Sequence, residues 1–178
     1  RALAGLLENN KPQGTQIFDA LKVSDDGKQR YVAGVALAQL LGNNAPQGTQ
    51  LFDALTISDD GSQRHVAGRA LTQLLVNNAP QGAQLFDALK VSDDFNQRDV
   101  AGGALFKLLD NDFPPGTQLF DVLKVSDDGK QRDVAGVALF HLLEINTPQG
   151  TQLFEFLKVS DDGNQREVAG RALFYLLA

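Results

Sequence analysis

The sequence repeats itself at a strict interval of 34 residues, and this period constrains the fold more than any other feature. A Ser-Asp-Asp motif recurs in phase at Ser24, Ser58, Ser92, Ser126 and Ser160. A Pro-x-Gly motif precedes it each time, at Pro12, Pro46, Pro80, Pro114 and Pro148. Such a period indicates an array in which each unit packs on its neighbours. We expect residues 1–178 to form a single array, with a half repeat at 1–10 and repeats at 11–44, 45–78, 79–112, 113–146 and 147–178.

The chain opens in the middle of a repeat, since Arg1-Ala-Leu matches Arg171-Ala-Leu. We therefore expect it to be a fragment of a longer array, or a piece built as one. Cys, Met and Trp are absent, and the repeats are nearly identical. These two observations favour an engineered or consensus-derived sequence, with recent duplication as the natural alternative.

Within each repeat, the apolar residues follow a helical spacing twice. In the repeat 45–78 the first helix, helix A, is predicted at 47–57 on a stripe that includes Leu51, Phe52 and Leu55. The second, helix B, is predicted at 61–76, where Val66, Ala67, Ala70, Leu71, Leu74 and Leu75 share one face. Ser-Asp-Asp-Gly lies between the two helices, and its short polar side chains suit a helix start. The sequence predicts an all-α fold.

A glycine recurs inside every helix B, at Gly34, Gly68, Gly102, Gly136 and Gly170. Glycine in a helix interior costs about 1 kcal/mol relative to alanine. A cost that recurs in every repeat favours a common reason, and close helix packing is our interpretation. A hinge or a ligand contact is the alternative.

One pair of motifs resembles a known family. Leu119-x-x-Val-Leu-Lys-x-x-Asp-Asp, followed by Arg132-x-Val-Ala-x-x-Ala-Leu-x-x-Leu, is similar to the HEAT-like repeat pattern, and all five units show it. The resemblance implies a right-handed α-solenoid of five two-helix repeats plus an N-terminal half repeat, with the B helices lining the concave side. It also implies a ladder in which one aspartate of each Asp-Asp couplet pairs with the arginine of helix B. The second aspartates are Asp26, Asp60, Asp94, Asp128 and Asp162, and the arginines are Arg30, Arg64, Arg98, Arg132 and Arg166. The period and the Pro-Gln-Gly-Thr opening depart from the commonest HEAT pattern, and the Trp, Gly and Tyr positions typical of tetratricopeptide repeats are missing.

Differences between repeats concentrate on one strip of helix B, whereas helix A positions such as Gln16, Asp19 and Lys22 hardly change. With Val32 at zero, the apolar residues centre near ~90° and the variable ones lie between about 240° and 340°. A variable strip on a constant scaffold is typical of a recognition surface. The residues predicted to face a partner are Tyr31, Val35, His65, Arg69, Asp99, Phe106, Lys107, Asp133, Val137, Phe140, His141, Glu167, Arg171, Phe174 and Tyr175.

Three phenylalanines occupy the same position of this strip in successive repeats, at Phe106, Phe140 and Phe174. Exposed aromatic residues in a row suggest anchors for a binding partner. The alternative is that they fold back over the neighbouring helix B and extend the core.

Charge and composition exclude several function classes. The formal charge is −6, and the constant positions of the repeats account for it, which argues against a polyanionic ligand. The 34-residue period and the Ser-x-x-Gly-Lys-Gln junction also resemble TAL effector repeats, which read bases with two variable junction residues. Here the junction is a constant Asp-Asp, which would repel phosphate. No apolar run approaches the length of a membrane span. His65 and His141 lie two repeats apart, no metal, calcium or phosphate motif recurs, and we expect neither a cofactor nor a catalytic site.

These observations predict a non-catalytic scaffold that binds a protein or peptide through the variable face of its B helices. A structural array that associates head to tail with itself is the alternative, because helix B stands at both ends of the chain. A DNA-binding array of the TAL-effector kind is a third and weaker hypothesis. The sequence does not indicate a cellular compartment.

Overall fold

The computed structural model describes residues 2–9 and 11–178, which form eleven α-helices and no strand. The prediction of an all-α fold is confirmed. The helices are α1 (Ala2–Glu8), α2 (Pro12–Lys22), α3 (Gly27–Gly42), α4 (Pro46–Thr56), α5 (Gly61–Val76), α6 (Pro80–Leu89), α7 (Phe95–Asp110), α8 (Pro114–Leu123), α9 (Gly129–Glu144), α10 (Pro148–Lys158) and α11 (Gly163–Leu177). Helices α4 and α5 match the predicted ranges 47–57 and 61–76 within one residue.

Short and long helices alternate along the chain. The even-numbered helices α2 to α10 are the A helices of 10 or 11 residues, and the odd-numbered helices α3 to α11 are the B helices of 15 or 16. Helix α1, with 7 residues, corresponds to the second half of a B helix. Each A helix begins with proline, whose missing N–H is not needed in the first turn. This alternation is that of a helical repeat.

The second aspartate of each Ser-Asp-Asp motif caps helix B. In every repeat its carboxylate accepts a 2.8 Å hydrogen bond from the backbone N–H two residues ahead, as Asp26 does from Lys28. The serine hydroxyl in turn accepts from the N–H of that aspartate. An N-cap of this kind stabilises a helix by about 1 kcal/mol.

The arginine of the implied ladder bonds a different partner. In every repeat its guanidinium donates to the serine carbonyl of the same junction, from 2.5 Å for Arg30 to 2.8 Å for Arg64 and Arg98. The aspartate is occupied as the cap of helix B. In these hydrogen bonds the arginine contacts a backbone carbonyl of the junction, where the resemblance implied a bond to an aspartate.

Glycines allow the helices to approach closely at two places in the repeat. A Cβ added to Gly34 would lie 2.8 Å from the Cβ of Arg69, and one added to Gly102 would lie 2.5 Å from Cγ1 of Val137. The predicted close packing of the helix B glycine is confirmed at these positions. The glycine of the Pro-x-Gly motif packs in the same way on a leucine of the preceding B helix, for example Gly48 on Leu40 at 2.8 Å.

The chain forms two compact units, Arg1–Phe86 and Asp87–Ala178. The core of the first unit contains Phe18, Phe52, Leu37 and Leu40, all at most 1 % exposed. The core of the second contains Phe120, Leu105, Leu108, Leu139 and Leu142. Four of the five A helices bury their corresponding phenylalanine to 2 % exposure or less, at Phe18, Phe52, Phe86 and Phe120, and Phe154 of α10 is half-buried.

Four turns from helix B to the next helix A pass through the left-handed backbone region. Asn44, Asn78, Asp112 and Asn146 have φ between 52° and 56°. Asparagine and aspartate tolerate this conformation better than other non-glycine residues, because their short polar side chains bond locally. The recurrent asparagine is therefore a backbone requirement of the turn.

Candidate binding surface on the B helices

The structure places the fifteen predicted partner-facing residues in three environments. Tyr31, His65 and Phe174 are exposed. Nine are half-buried: Val35, Arg69, Asp99, Lys107, Phe140, His141, Glu167, Arg171 and Tyr175. Phe106, Asp133 and Val137 are buried, at 7 %, 2 % and 2 % exposure. For these three, the prediction of an outward-facing position is wrong.

The reason is the packing of consecutive B helices against each other. Residues that differ by 35 in number meet across this contact, as Gly34 meets Arg69 and Gly102 meets Val137. One edge of the variable strip therefore faces the neighbouring helix and not the solvent. In the first unit this edge brings the guanidinium of Arg69 over the ring of Tyr31, with Cζ 4.3 Å from the ring centroid.

In the second unit, Asp133 is the centre of a buried hydrogen-bond network. Its carboxylate accepts from Nε of Arg98 at 2.7 Å, from Arg171 at 2.8 Å and from the hydroxyl of Tyr175. Burial alone would raise the pKa of Asp133, but the bonds from Tyr175, Arg98 and Arg171 outweigh it and lower that pKa. Burial and the bond to Asp133 raise the pKa of Tyr175, so its hydroxyl stays protonated.

Glu167 extends this network by one repeat. It accepts from Nε of Arg132 at 2.8 Å and from Nε of Arg171 at 2.9 Å. Burial opposes its ionisation, yet the hydrogen bonds of Arg171 and Arg132 lower the pKa of Glu167. The arginine of one repeat thus bonds the acidic residue 35 positions later, so carboxylates at variable positions connect α7 to α9 and α9 to α11.

In the first unit, the helix B position that holds Asp133 and Glu167 in the later repeats is occupied by Tyr31 and His65. His65 stands 35 residues after Arg30, where Asp133 and Glu167 stand after their arginines. Within the described part of the chain, the buried Nε of Arg30 has no hydrogen-bond partner. The arginine recurs in every repeat, and the acidic partner does not.

Six aromatic rings lie beside the charge network, and we call them the aromatic strip: Phe95, Phe106, Phe140, His141, Phe174 and Tyr175. His141 contacts both Phe106, at 5.3 Å between ring centroids, and Phe140, at 4.7 Å. Tyr175 contacts Phe140, Phe174 and Phe95 at 6.1, 5.7 and 5.8 Å. These spacings are those of favourable aromatic pairs. The rings form one continuous strip across α7, α9 and α11.

Exposure changes along the aromatic strip, so the three phenylalanines are not equivalent anchors. Phe106 is buried against His141, as the fold-back alternative predicted, and Phe140 is half-buried against Tyr175. Phe174 is 69 % exposed. The prediction of a row of exposed anchors therefore holds for Phe174 alone among the three.

Phe95 is a member of the strip that sequence reasoning missed. It is 42 % exposed and begins helix α7, at the position held by Gly27, Gly61, Gly129 and Gly163 in the other repeats. The signal that could have found it is this single departure from glycine beside a constant Asp-Asp. Its ring also lies 5.8 Å from Cζ of Arg98, which joins the aromatic strip to the charge network.

The outer face of the A helices carries a different kind of contact. A lysine near the end of the helix pairs with the acidic residue three positions earlier, as Lys124 does with Asp121 at 2.6 Å. The same pair recurs in α2, in α10 and with Lys90 beside α6. Local ion pairs of this type contribute little to stability. Exposed apolar residues also occur on this face, namely Val122 and Phe156.

Among the residues that the structure describes, no group of three or more His, Cys, Asp or Glu side chains is arranged to hold a metal ion. None of the described helices has the length and hydrophobicity needed to cross a membrane.

Comparison with known proteins adds little to this description. No protein-family model matches the chain, and no curated protein matches it. The solved structures include a crystal structure of an engineered protein from the Northeast Structural Genomics Consortium. It shares 19% sequence identity over 99% of this chain and 89% of that chain, with a TM-score of 0.30. Similarity at this level transfers neither fold nor function to this chain.

Proposed function

We propose that the chain is a non-catalytic scaffold that binds a protein or peptide through the B-helix surface of its second unit, centred on the aromatic strip. The observation that carries this proposal is a continuous cluster of six rings in which Phe95 and Phe174, both in contact with Tyr175, are 42 % and 69 % exposed. Aromatic side chains at the surface bring large contact area at low entropic cost, and they dominate binding energies at protein interfaces.

Pre-organisation supports this proposal. Tyr175 contacts three other rings and also bonds the buried Asp133, so its position is fixed before any partner arrives. Lys107 lies over Phe106 with Nζ 4.3 Å from the ring centroid. A surface whose rotamers are already held loses less conformational entropy on binding.

The chemistry of the surface favours a partner with apolar side chains flanked by acidic ones. The exposed rings offer apolar contact area, and half-buried Lys107 lies over Phe106 of the same strip. Nucleic acid fits less well, because the first aspartate of every junction is exposed and would repel phosphate: Asp25, Asp59, Asp93, Asp127 and Asp161.

The finer architecture belongs to the same proposal. We infer a right-handed solenoid of the HEAT-like kind, in one array of five repeats and a half repeat. Its support is the 34-residue period, the alternation of A and B helices, and the similarity of the two motifs in each repeat. Near-identical repeats lacking Cys, Met and Trp support an engineered or consensus-derived origin.

The proposal can be tested by selecting peptides from a random display library on the intact chain. Selected peptides are then measured against a variant that combines Phe95→Gly and Phe174→Ser. Both side chains are exposed, and glycine is the residue of the other repeats at position 95, so the variant keeps the fold. We expect it to lose at least about tenfold in affinity, corresponding to 1.4 kcal/mol.

The matched control is Phe156→Ser on the A-helix face. Phe156 is 60 % exposed, close to the exposure of Phe174, but it lies outside the aromatic strip. We expect the control to bind selected peptides as the parent does. The proposed surface would be refuted if both variants lost the same affinity for the selected peptides. It would also be refuted if neither variant changed that affinity.

A further inference from the structure

The junction between α9 and α11 shows how the arginines of two successive B helices hold one carboxylate. Glu167 accepts from Nε of Arg132 at 2.8 Å and lies 2.7 Å from Nη2 of the same arginine. It also accepts from Nε and Nη2 of Arg171, four residues later on α11, at 2.9 and 2.7 Å. Hydrogen bonds between a guanidinium and a carboxylate are among the strong ones in proteins. This junction therefore serves as a template for a carboxylate site.

The junction between α3 and α5 in the first unit keeps both arginines of the template and lacks its acid. Three repeats before Arg132, Glu167 and Arg171, the chain has Arg30, His65 and Arg69. The buried Nε of Arg30 has no hydrogen-bond partner, and the guanidinium of Arg69 lies over the ring of Tyr31. A buried donor without an acceptor is unfavourable, so it gains from any acceptor that reaches it.

We propose that the α3–α5 junction is a binding site for a carboxylate from outside the chain, held by Arg30 and Arg69. The ligand class is the acidic side chain of a peptide or protein, because the template holds a glutamate with the same two groups. In the second unit, Asp133 and Glu167 compensate the charges of the arginines. At the same two positions the first junction has Tyr31 and His65, so its two guanidinium charges favour an anion.

The guanidinium of Arg30 is anchored before a ligand arrives. Its Nη1 donates to the carbonyl of Ser24 at 2.5 Å, as Nη1 of Arg132 donates to the carbonyl of Ser126 at 2.6 Å. This bond leaves Nε and Nη2 for a carboxylate, and these are the two atoms that Glu167 contacts on Arg132. A donor pair that is already oriented loses less entropy on binding.

A ligand reaches this site from the surface, at position 65. The Nε of Arg30 is itself buried, so the side chains over it must turn aside before a carboxylate bonds it. His65 is exposed and stands where Glu167 stands in the template. Exposed side chains change rotamer within nanoseconds, so a ligand that approaches at His65 meets a site that opens readily.

The test follows the side-chain Nε–Hε signal of Arg30 by nuclear magnetic resonance, on the intact chain at pH 6. The probe is the peptide acetyl-Gly-Glu-Gly-amide, and acetyl-Gly-Gln-Gly-amide has the same shape without the charge. Inorganic phosphate at the same ionic strength supplies a competing anion. We expect the glutamate peptide to shift the signal saturably, with a dissociation constant in the millimolar range. It should bind at least about tenfold more tightly than the glutamine peptide.

The decisive variant is His65→Glu, which places a carboxylate of the chain itself in the site. It should lower the affinity for the glutamate peptide at least about tenfold, because a tethered group competes at a high effective concentration. The control is Gln50→Glu, which adds the same negative charge at an exposed position of α4 and should leave the affinity unchanged. Arg69→Gln removes the second guanidinium and should weaken binding about three- to tenfold.

Three outcomes overturn the proposal. The first is a signal of Arg30 that does not move with the glutamate peptide, and the second is equal binding of the two peptides. The third is an equal loss of affinity in His65→Glu and Gln50→Glu. Tighter binding of inorganic phosphate than of the glutamate peptide would refute the assignment of a carboxylate. The aromatic strip shares no residue with this site, so the proposed function and the carboxylate site can fail independently.

Discussion

Replacing Asp133 by asparagine tests whether the variable positions stabilise the second unit. The carboxylate is 3% exposed and accepts from Arg98, Arg171 and Tyr175. Asparagine keeps the shape but removes the charge, and its amide group points a donor at a guanidinium. Removing one partner of a buried ion pair costs about 3–5 kcal/mol. Since Arg98 and Arg171 retain 15% and 32% side-chain exposure, water recovers part of this cost. We expect a loss of about 2–3 kcal/mol in the free energy of unfolding.

The assay is urea unfolding at pH 7, followed by far-ultraviolet circular dichroism. The control is Asp121→Asn, which removes an exposed carboxylate that pairs with Lys124 on helix A and should cost less than about 0.5 kcal/mol. A double-mutant cycle with Tyr175→Phe should give a coupling energy of about 1 kcal/mol, because the hydroxyl and the carboxylate bond each other. If Asp133→Asn and Asp121→Asn cost the same, the buried network does not stabilise the unit and this reasoning fails.

Four further outcomes follow from described contacts. The pKa values of Asp133 and Glu167 are lowered in the fold, so both groups stabilise it fully at a pH above their ordinary pKa values of 3.8 and 4.5. This contribution is lost as the pH falls through the folded pKa values. The urea midpoint should therefore decrease between pH 7 and pH 3, and it should decrease less in Asp133→Asn. Gly136→Ala should destabilise by about 1–3 kcal/mol, because the new Cβ would lie 2.8 Å from Arg171, whereas Gly170→Ala should stabilise by about 1 kcal/mol; equal effects would contradict the packing argument. His65→Glu should raise the free energy of unfolding by about 1 kcal/mol, because the new carboxylate gives Nε of Arg30 an acceptor. If His65→Glu brings no gain and Arg30→Lys brings no loss, this nitrogen does not affect stability and the reasoning is wrong. Asn78→Val should cost about 1–2 kcal/mol at its φ of 52° while Asn78→Gly costs little, both measured by thermal unfolding.

The sequence was sufficient for the helices and their order. Apolar spacing predicted α4 and α5 to within one residue, and the recurring glycine of helix B correctly indicated close packing. Both patterns recur in every repeat, so each can be recognised from the sequence of a single repeat. The glycine of the Pro-x-Gly motif has the same kind of role, as Gly48 packs on Leu40, but it lies in the first turn of helix A, and the sequence pattern did not indicate this contact.

The binding surface was only partly predictable, and the reason is geometric. An angular plot of helix B separates apolar from variable residues, but it does not say how much of the variable side a neighbouring helix covers. Asp133 looked like a surface carboxylate because charged residues are rarely buried without partners. Its partners, Arg98 and Arg171, lie one repeat away in each direction along the sequence. Variation between repeats therefore marks both solvent-facing positions and positions that join one repeat to the next.

The bond from the arginine of one repeat to the acid of the next makes the repeats unequal as building blocks. Every repeat supplies the donor, but only an incoming repeat with a carboxylate at the right position accepts it. A lengthened array made by copying residues 113–146 or 147–178 would carry its own acceptor into each new junction, through Asp133 or Glu167. Copies of residues 11–44 or 45–78, which place Tyr31 or His65 there, would leave a buried guanidinium nitrogen unmatched at every join. The residue at this one position of a repeat therefore determines whether that repeat can follow another without leaving a buried donor unbonded.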